Sequence, residues 1–205
     1  MSRPAPAELL AALGQAFAER GWRWYVFGAQ AVVAHGRPRL TADVDATVDP
    51  AGADPGAVVA ALMAHGFALR VPLSAEYLRE ARLLPMVHLA SGMPLDLVIA
   101  GPGLDQEILD RARLLDLGGV EVPVVSPEDL VAMKVLAGRR KDLEDVRGVL
   151  IEQGGRLDLE RIRDVLAAME TVIGEPLLLP RLERLLRAAE GKKRPARTRG
   201  DKGRK

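Results

Sequence analysis

The sequence predicts an α/β or α+β fold in which strands and helices are interspersed up to about residue 125 and helices alone follow. Two observations predict it. Runs with a two-residue apolar period, the clearest from Leu40 to Val48, are mixed with runs of helical period in the first part of the chain. From Pro127 to Ala189 only the helical period remains. With 205 residues, 48% of them apolar, the chain is long enough to bury a core, and it shows no internal repeat.

The elements follow in order. Leu9, Leu10, Leu13 and Phe17 lie on one face of a helix from Pro4 to Arg20, which Gly21 ends. Trp22 to Phe27 reads as a strand, and Gly28 to Ala34 is small, apolar and helical in character. From Leu40 to Val48 the apolar Leu40, Ala42, Val44, Ala46 and Val48 alternate with Thr41, Asp43, Asp45 and Thr47, the pattern of a half-buried strand. A helix is expected over Pro55 to His65, while residues 74–84 fit a helix or a loop. Met86 to Ala90 and Pro94 to Ala100 are strand segments joined through Gly92 in a hairpin. Leu104 to Leu115 reads as a helix and Val120 to Val125 as a strand, placed at a sheet edge because Pro123 lacks a donor. Helices over Pro127 to Ala137, Lys141 to Glu152, Leu159 to Met169 and Leu177 to Ala189 complete the pattern. The expected division is therefore a domain over 1–125, a helical region over 126–190 and a tail over 191–205.

That tail holds eight Lys or Arg against one Asp, net +7, within a chain whose total is only +1. Rich in Gly, Pro and charge, it is expected to be disordered, and it either attracts nucleic acid or solubilises the chain. No apolar run reaches the roughly 18 residues of a membrane span, and the first residues lack the order of a secretory signal. The absence of cysteine removes disulfides and thiolate metal sites, so a cytoplasmic protein with no membrane partner is expected.

The acids carry the chemistry. A period of two points Asp43 and Asp45 the same way, where their repulsion calls for a positive charge between them. Isolated Asp-x-Asp pairs are more often solvated strand faces, but here Asp96 sits inside the apolar run Leu95, Leu97, Val98, Ile99, where an unpaired carboxylate is costly. Were that strand to lie beside Leu40 to Val48, the three acids would form one oxygen-only cluster suited to Mg²⁺ or Mn²⁺. Gly28 stands where a strand gives way to a helix, a place for backbone N–H groups to meet a phosphate.

In this order and spacing, Phe27 to Asp49 followed by a lone strand Asp96 resembles the DNA polymerase β-like nucleotidyltransferase superfamily. Arg39, Thr41, Asp43 and Asp45 are similar to the Arg-x-Thr/Ser-x-Asp-x-Asp run of small prokaryotic nucleotidyltransferases that include the AbiEii-type toxins. Ser126 to Val146 resembles their second signature, a helix with a Lys followed by Lys-Asp-x-x-Asp. The resemblance implies a small mixed sheet with flanking helices and a helical C-terminal annex that completes the site. It further implies NMP transfer from an NTP to a hydroxyl acceptor, with Asp43, Asp45 and Asp96 as metal ligands and Asp96 as, or assisting, the general base. Gly28 and Ala29 would approach the triphosphate, and Lys134, with Arg39 as a weaker candidate, would neutralise it. Asp142 would orient Lys134 or pair within a solvated helix. Ala29 departs from the family's usual Gly or Ser and loses a hydroxyl while keeping its backbone donor. An RNA such as tRNA, or a protein, is the implied acceptor, and an antitoxin the implied partner.

Other residues read as structural. Ser126 is placed to cap the helix of Lys134. Lys134, Lys141 and Asp145 share a face only if that helix continues through Gly138. His35, His65 and His88 lack zinc spacing, and Trp22, Trp24 and Tyr25 suit a core. Two rival functions remain open, a glycosyltransferase using Asp43-Val44-Asp45 and a non-catalytic nucleotide- or RNA-binding module. Asp96 is unexplained by the first, and the intact acids argue against the second.

Overall fold

The structure, a computed structural model, describes residues 3–37 and 41–193. Arg39, Leu40 and residues 194–205 lie outside it, and with them one candidate phosphate ligand, the start of the expected acidic strand and most of the basic tail. The chain forms two compact units, one up to Leu130 and one from Val131. Strands end at Val124 and helices alone follow, as the sequence led us to expect, and the boundary between the two units lies within the first of those helices.

In the first unit, strands β1 (Arg23–Phe27), β2 (Val44–Asp49), β3 (Phe67–Leu69), β4 (Leu83–His88), β5 (Pro94–Ile99), β6 (Arg113–Asp116) and β7 (Glu121–Val124) make one mixed sheet in the order β3-β4-β5-β2-β1-β7-β6. The pairs β2 with β5 and β1 with β7 are parallel; the others are antiparallel. Helices α1 (Ala5–Ala18), α2 (Gly28–Ala34), α3 (Pro55–Met63), α4 (Ala75–Glu80), α5 (Leu104–Arg111) and α6 (Pro127–Ala137) connect or follow them.

The sheet's two faces differ. Val44, Ala46, Val48, Leu95, Leu97, Leu84 and Met86 are fully buried on one face, the face α1 covers, since Phe17 packs edge-on against Trp24, the register partner of Val48. This is the core, built by strand alternation meeting a helix stripe of Leu9, Leu10, Leu13 and Phe17. The other face carries Arg23, Tyr25 and Phe27 opposite Asp49, Thr47 and Asp45. Over part of it lies α5, whose Asp110 and Gln106 take hydrogen bonds from Arg23. Tyr25 and Thr47 are therefore buried, and burial pushes the Tyr25 phenol up to about 12.

Several sequence expectations need correction. The acidic strand begins at Val44, and Thr41 to Asp43 of the expected run stand outside it, because the Thr41 hydroxyl donates to the carbonyl (3.0 Å) and carboxylate (2.9 Å) of Asp43 and holds that segment in a local turn. Its polar face is not all solvated either, with Thr47 only 2% exposed. Residues 104–115 are not one helix: α5 stops at Arg111 and Arg113–Asp116 pairs with β7, a non-local pairing that overrides an amphipathic pattern. For the same reason β7 is not the edge. Its Pro123 is tolerated because the register with β1 is confined to Val26 and Val124. Within 74–84, residues 75–80 are helical and β4 begins at Leu83. Strand β3 is three residues long and had no periodic signal to give it away.

The second unit contains the end of α6 with α7 (Arg140–Gln153), α8 (Leu159–Ile173) and α9 (Leu178–Lys193). Val146, Val149, Ile162, Leu166, Leu182 and Leu185 form its core, with Arg163 and Glu183 paired at 2.9 Å between α8 and α9. Helix α6 does not continue into α7. Gly138, at φ +66°, caps it by donating its N–H to the Lys134 carbonyl. Helix α9 reaches Lys193, three residues into the segment expected to be tail.

Candidate active site

Asp45 and Asp96 are register partners on the parallel strands β2 and β5. Residues facing each other across a ladder project from the same side of a sheet, so both carboxylates leave the face opposite the core, about 5 Å apart at the backbone. Both are half-buried. Asp43 precedes the strand, is exposed and is held by Thr41. Thus the two strand acids come together as expected, whereas the third sits on the approach. Among the described residues no three acids are grouped to hold a metal ion.

Gly28 explains the local sequence on the other side of Asp45. It follows Phe27, the β1 partner of Asp45, and adopts φ +63° as the strand turns into α2. A Cβ there would stand 1.8 Å from Asp45 Oδ2 and 2.6 Å from its Cγ, so the carboxylate occupies the space a side chain would take. Only glycine satisfies both the conformation and the approach. Ala29 is buried behind it. No side chain caps the first turn of α2, and Gln30, 6% exposed, keeps Nε2 without a hydrogen-bond partner.

Arg70, which sequence reasoning passed over, is a further member. It lies just beyond β3, donates its backbone N–H to Pro85 (2.8 Å) and forms a salt bridge with Asp96. The signal that finds it is the register of a strand too short to be read from periodicity.

Lys134 and Asp142 belong to the second unit. Lys134 Nζ, with its side chain 8% exposed, donates to Asp142 (3.2 Å) and Asp145 (2.9 Å), themselves 2% and 5% exposed. Arg139 adds a contact to Asp142 at 2.5 Å. Burial raises the Asp142 carboxyl, but hydrogen bonds from Arg139 and Lys134 outweigh it and hold the group below the usual carboxylate range. Lys141, which would share this face only in a helix continued through Gly138, is exposed.

Ser126 and the three histidines make local contacts. Ser126 accepts from the Asp129 N–H (3.1 Å) and donates to its carboxylate (2.7 Å), the predicted cap, and Arg111 also donates to that carboxylate. His35 bonds the Val125 carbonyl and is lowered mainly by burial. His88 bonds Ser91, and His65 bonds the Ala61 carbonyl and Glu19.

Residues 96–183, less than half of the chain, match the model of a family described as nucleotidyl transferase of unknown function (DUF2204). The chain is similar to the solution structure of the antibiotic-resistance factor ANT(2'')-Ia, with 18% identity and a TM-score of 0.58 over 82% of this chain and 93% of that one. For the crystal structure of ANT(2'')-Ia in complex with adenylyl-2''-tobramycin the values are 17%, 0.55, 83% and 99%. For an antigenic nucleotidyltransferase-like protein from Paracoccidioides brasiliensis they are 19%, 0.53, 91% and 94%. No curated protein matches the chain. The fold is the nucleotidyltransferase fold, as the sequence resemblance implied.

Proposed function

We propose that the chain is a nucleotidyltransferase that moves a nucleoside monophosphate from an NTP to a hydroxyl acceptor and releases pyrophosphate. The observation that carries this reading is the in-register pair of Asp45 and Asp96 on the part-exposed face of a nucleotidyltransferase fold, with Gly28 cleared of any side chain beside Asp45.

The donor set fits a hard divalent cation. Asp45 and Asp96 offer carboxylate oxygens from adjacent strands, the all-oxygen chemistry suited to Mg²⁺ or Mn²⁺, and Asp43, not grouped with them, is proposed as a further ligand from the exposed connection. Such an ion, when bound, supplies Lewis-acid stabilisation of phosphoryl charge. The rest falls to the chain's own groups. Asp96 takes the proton of the acceptor hydroxyl, a role its half-exposed place at the sheet face permits. The uncapped N–H groups at Gly28 and Ala29 and the unpartnered Gln30 Nε2 are the donors offered to the triphosphate. Arg39 keeps the phosphate-neutralising role its sequence position implies. Lys134 and Asp142 enter this reading as the ion-pair core of the helical unit, because two buried carboxylates already account for the ammonium.

For the acceptor, the sequence resemblance favours RNA such as tRNA, or protein, in a toxin with a cognate antitoxin. The likeness to ANT(2'')-Ia raises a small-molecule hydroxyl instead. Incubation with each α-³²P-labelled NTP and Mg²⁺, offering total RNA, a protein extract or tobramycin in turn, separates these. Label transfer to one acceptor class, abolished in Asp45→Asn and Asp96→Asn, is the expected result. Transfer at wild-type level in either variant overturns the assignment.

A further inference from the structure

The sheet register lines up more than the two acids. Leu69 pairs with Met86, and the next residue, Arg70, donates its N–H to Pro85. Pro85 is the partner of Asp96, Asp96 of Asp45, and Asp45 of Phe27. Arg70, just past β3, and Pro85, Asp96, Asp45 and Phe27 on four strands therefore form one row, with their side chains on one face. Arg70 stands two strands from Asp96, about 10 Å at the backbone, a span its long side chain covers by passing over the short ring of Pro85. The salt bridge to Asp96 is the outcome.

Two adjacent carboxylates repel unless a cation sits with them, and Arg70 brings one to the outer member of the pair. We infer that Arg70 is a counter-ion of Asp96 when no metal is bound, and that it competes with a divalent cation for this carboxylate. The cation satisfies the same acids, so metal entry releases the guanidinium and metal affinity is set partly by the strength of the Arg70 contact. This rests on the proposed metal site, and concerns a residue that neither composition nor motif spacing singles out. Both partners are about one-third exposed, at 37% and 35%, so the contact is of the screened, surface class.

The test is Mn²⁺ binding without nucleotide, followed by electron paramagnetic resonance of the free ion, for wild type, Arg70→Gln, Arg70→Lys and Asp45→Asn. Arg70→Gln is expected to bind Mn²⁺ about two- to fivefold more tightly, with Arg70→Lys between it and wild type. Without metal, Arg70→Gln should melt at a lower temperature than wild type, and saturating Mn²⁺ should narrow the gap. Asp45→Asn is expected to lose binding. Equal or weaker affinity in Arg70→Gln, with binding still lost in Asp45→Asn, overturns the competition and leaves the metal site standing. Unaltered binding in Asp45→Asn, or no binding in any protein, overturns both.

Discussion

Lys134→Met keeps the length of the side chain and removes its charge, so it isolates the ion pairs from the packing of the aliphatic stem. In the native protein one ammonium serves Asp142 at 3.2 Å and Asp145 at 2.9 Å, and the acids are 2% and 5% exposed. Removing one partner of a buried pair costs about 3–5 kcal/mol, since a desolvated charge is left behind. The lower end applies here. Asp142 retains Arg139 at 2.5 Å, and Asp145 has an interaction besides that with Lys134. About 3 kcal/mol is a large part of the roughly 5–15 kcal/mol that holds a domain folded, and corresponds to a fall in Tm of about 6–12 °C at this chain length. Urea titration of wild type, Lys134→Met and the double variant Lys134→Met, Asp145→Asn measures it, the second substitution removing one stranded charge and recovering part of the loss. The pH dependence has a definite sign. Asp142 is held below its unfolded value, so its stabilisation is present above about pH 4 and fades as pH falls through the lower folded value; Lys134→Met should weaken that acid-side decline. If Lys134→Met melts within about 0.5 kcal/mol of wild type, the structural reading is refuted. A variant that is stable but has lost NTP affinity would return Lys134 to the phosphate role that its sequence signature implies.

Gly28→Ala should lower stability by about 1–3 kcal/mol through its positive φ alone, and by displacing Asp45 it should depress Mn²⁺ binding more than an equally destabilising core variant does; calorimetric titration beside a melt checks both. Ser126→Ala removes the cap of α6 and a hydrogen bond to buried Asp129, and is expected to cost about 1–2 kcal/mol in urea titration, with Ser126→Thr close to wild type. His65 is raised above its ordinary value by the Ala61 carbonyl and Glu19. Its contribution is therefore full below about pH 6.5 and is lost as pH rises through the raised value, so a proton-detected titration should place its midpoint above 6.5 in wild type and lower in Glu19→Gln.

Much of the fold could be read because its periods are local. The Leu9 to Phe17 stripe and the helices after Pro127 declare themselves within single segments, as does the Gly92 turn between two strands. Elements decided by distant partners were harder to read. Residues 113–116 lie at the end of an amphipathic run, and only their pairing with 121–124 makes them a strand. Phe67–Leu69 is too short to show any period. Thr41 and Asp43 continue a strand pattern, yet a hydroxyl reaching two residues along takes them out of the ladder.

The candidate site divides along the same line. Asp96 was legible as an odd charge in an apolar strand, where burial alone is costly, and Asp45 as one of two like charges on the polar face of another. Gly28 was legible as a glycine at a strand-to-helix turn, although its intimacy with Asp45 depends on the register of β1 with β2. Lys134 gave a clear signature whose surroundings were hidden, because Gly138 ends α6 and the chain re-enters with Asp142 and Asp145 on Lys134 rather than carrying the helix straight on. Arg70 had no signature at all. Among the described basic residues it is set apart by standing opposite Pro85, which stands opposite Asp96, and two strand registers must be known before that row exists. An acid announces itself by where it ought not to be, whereas its counter-ion, free to sit anywhere on the surface, is identified only by what the fold sets beside it.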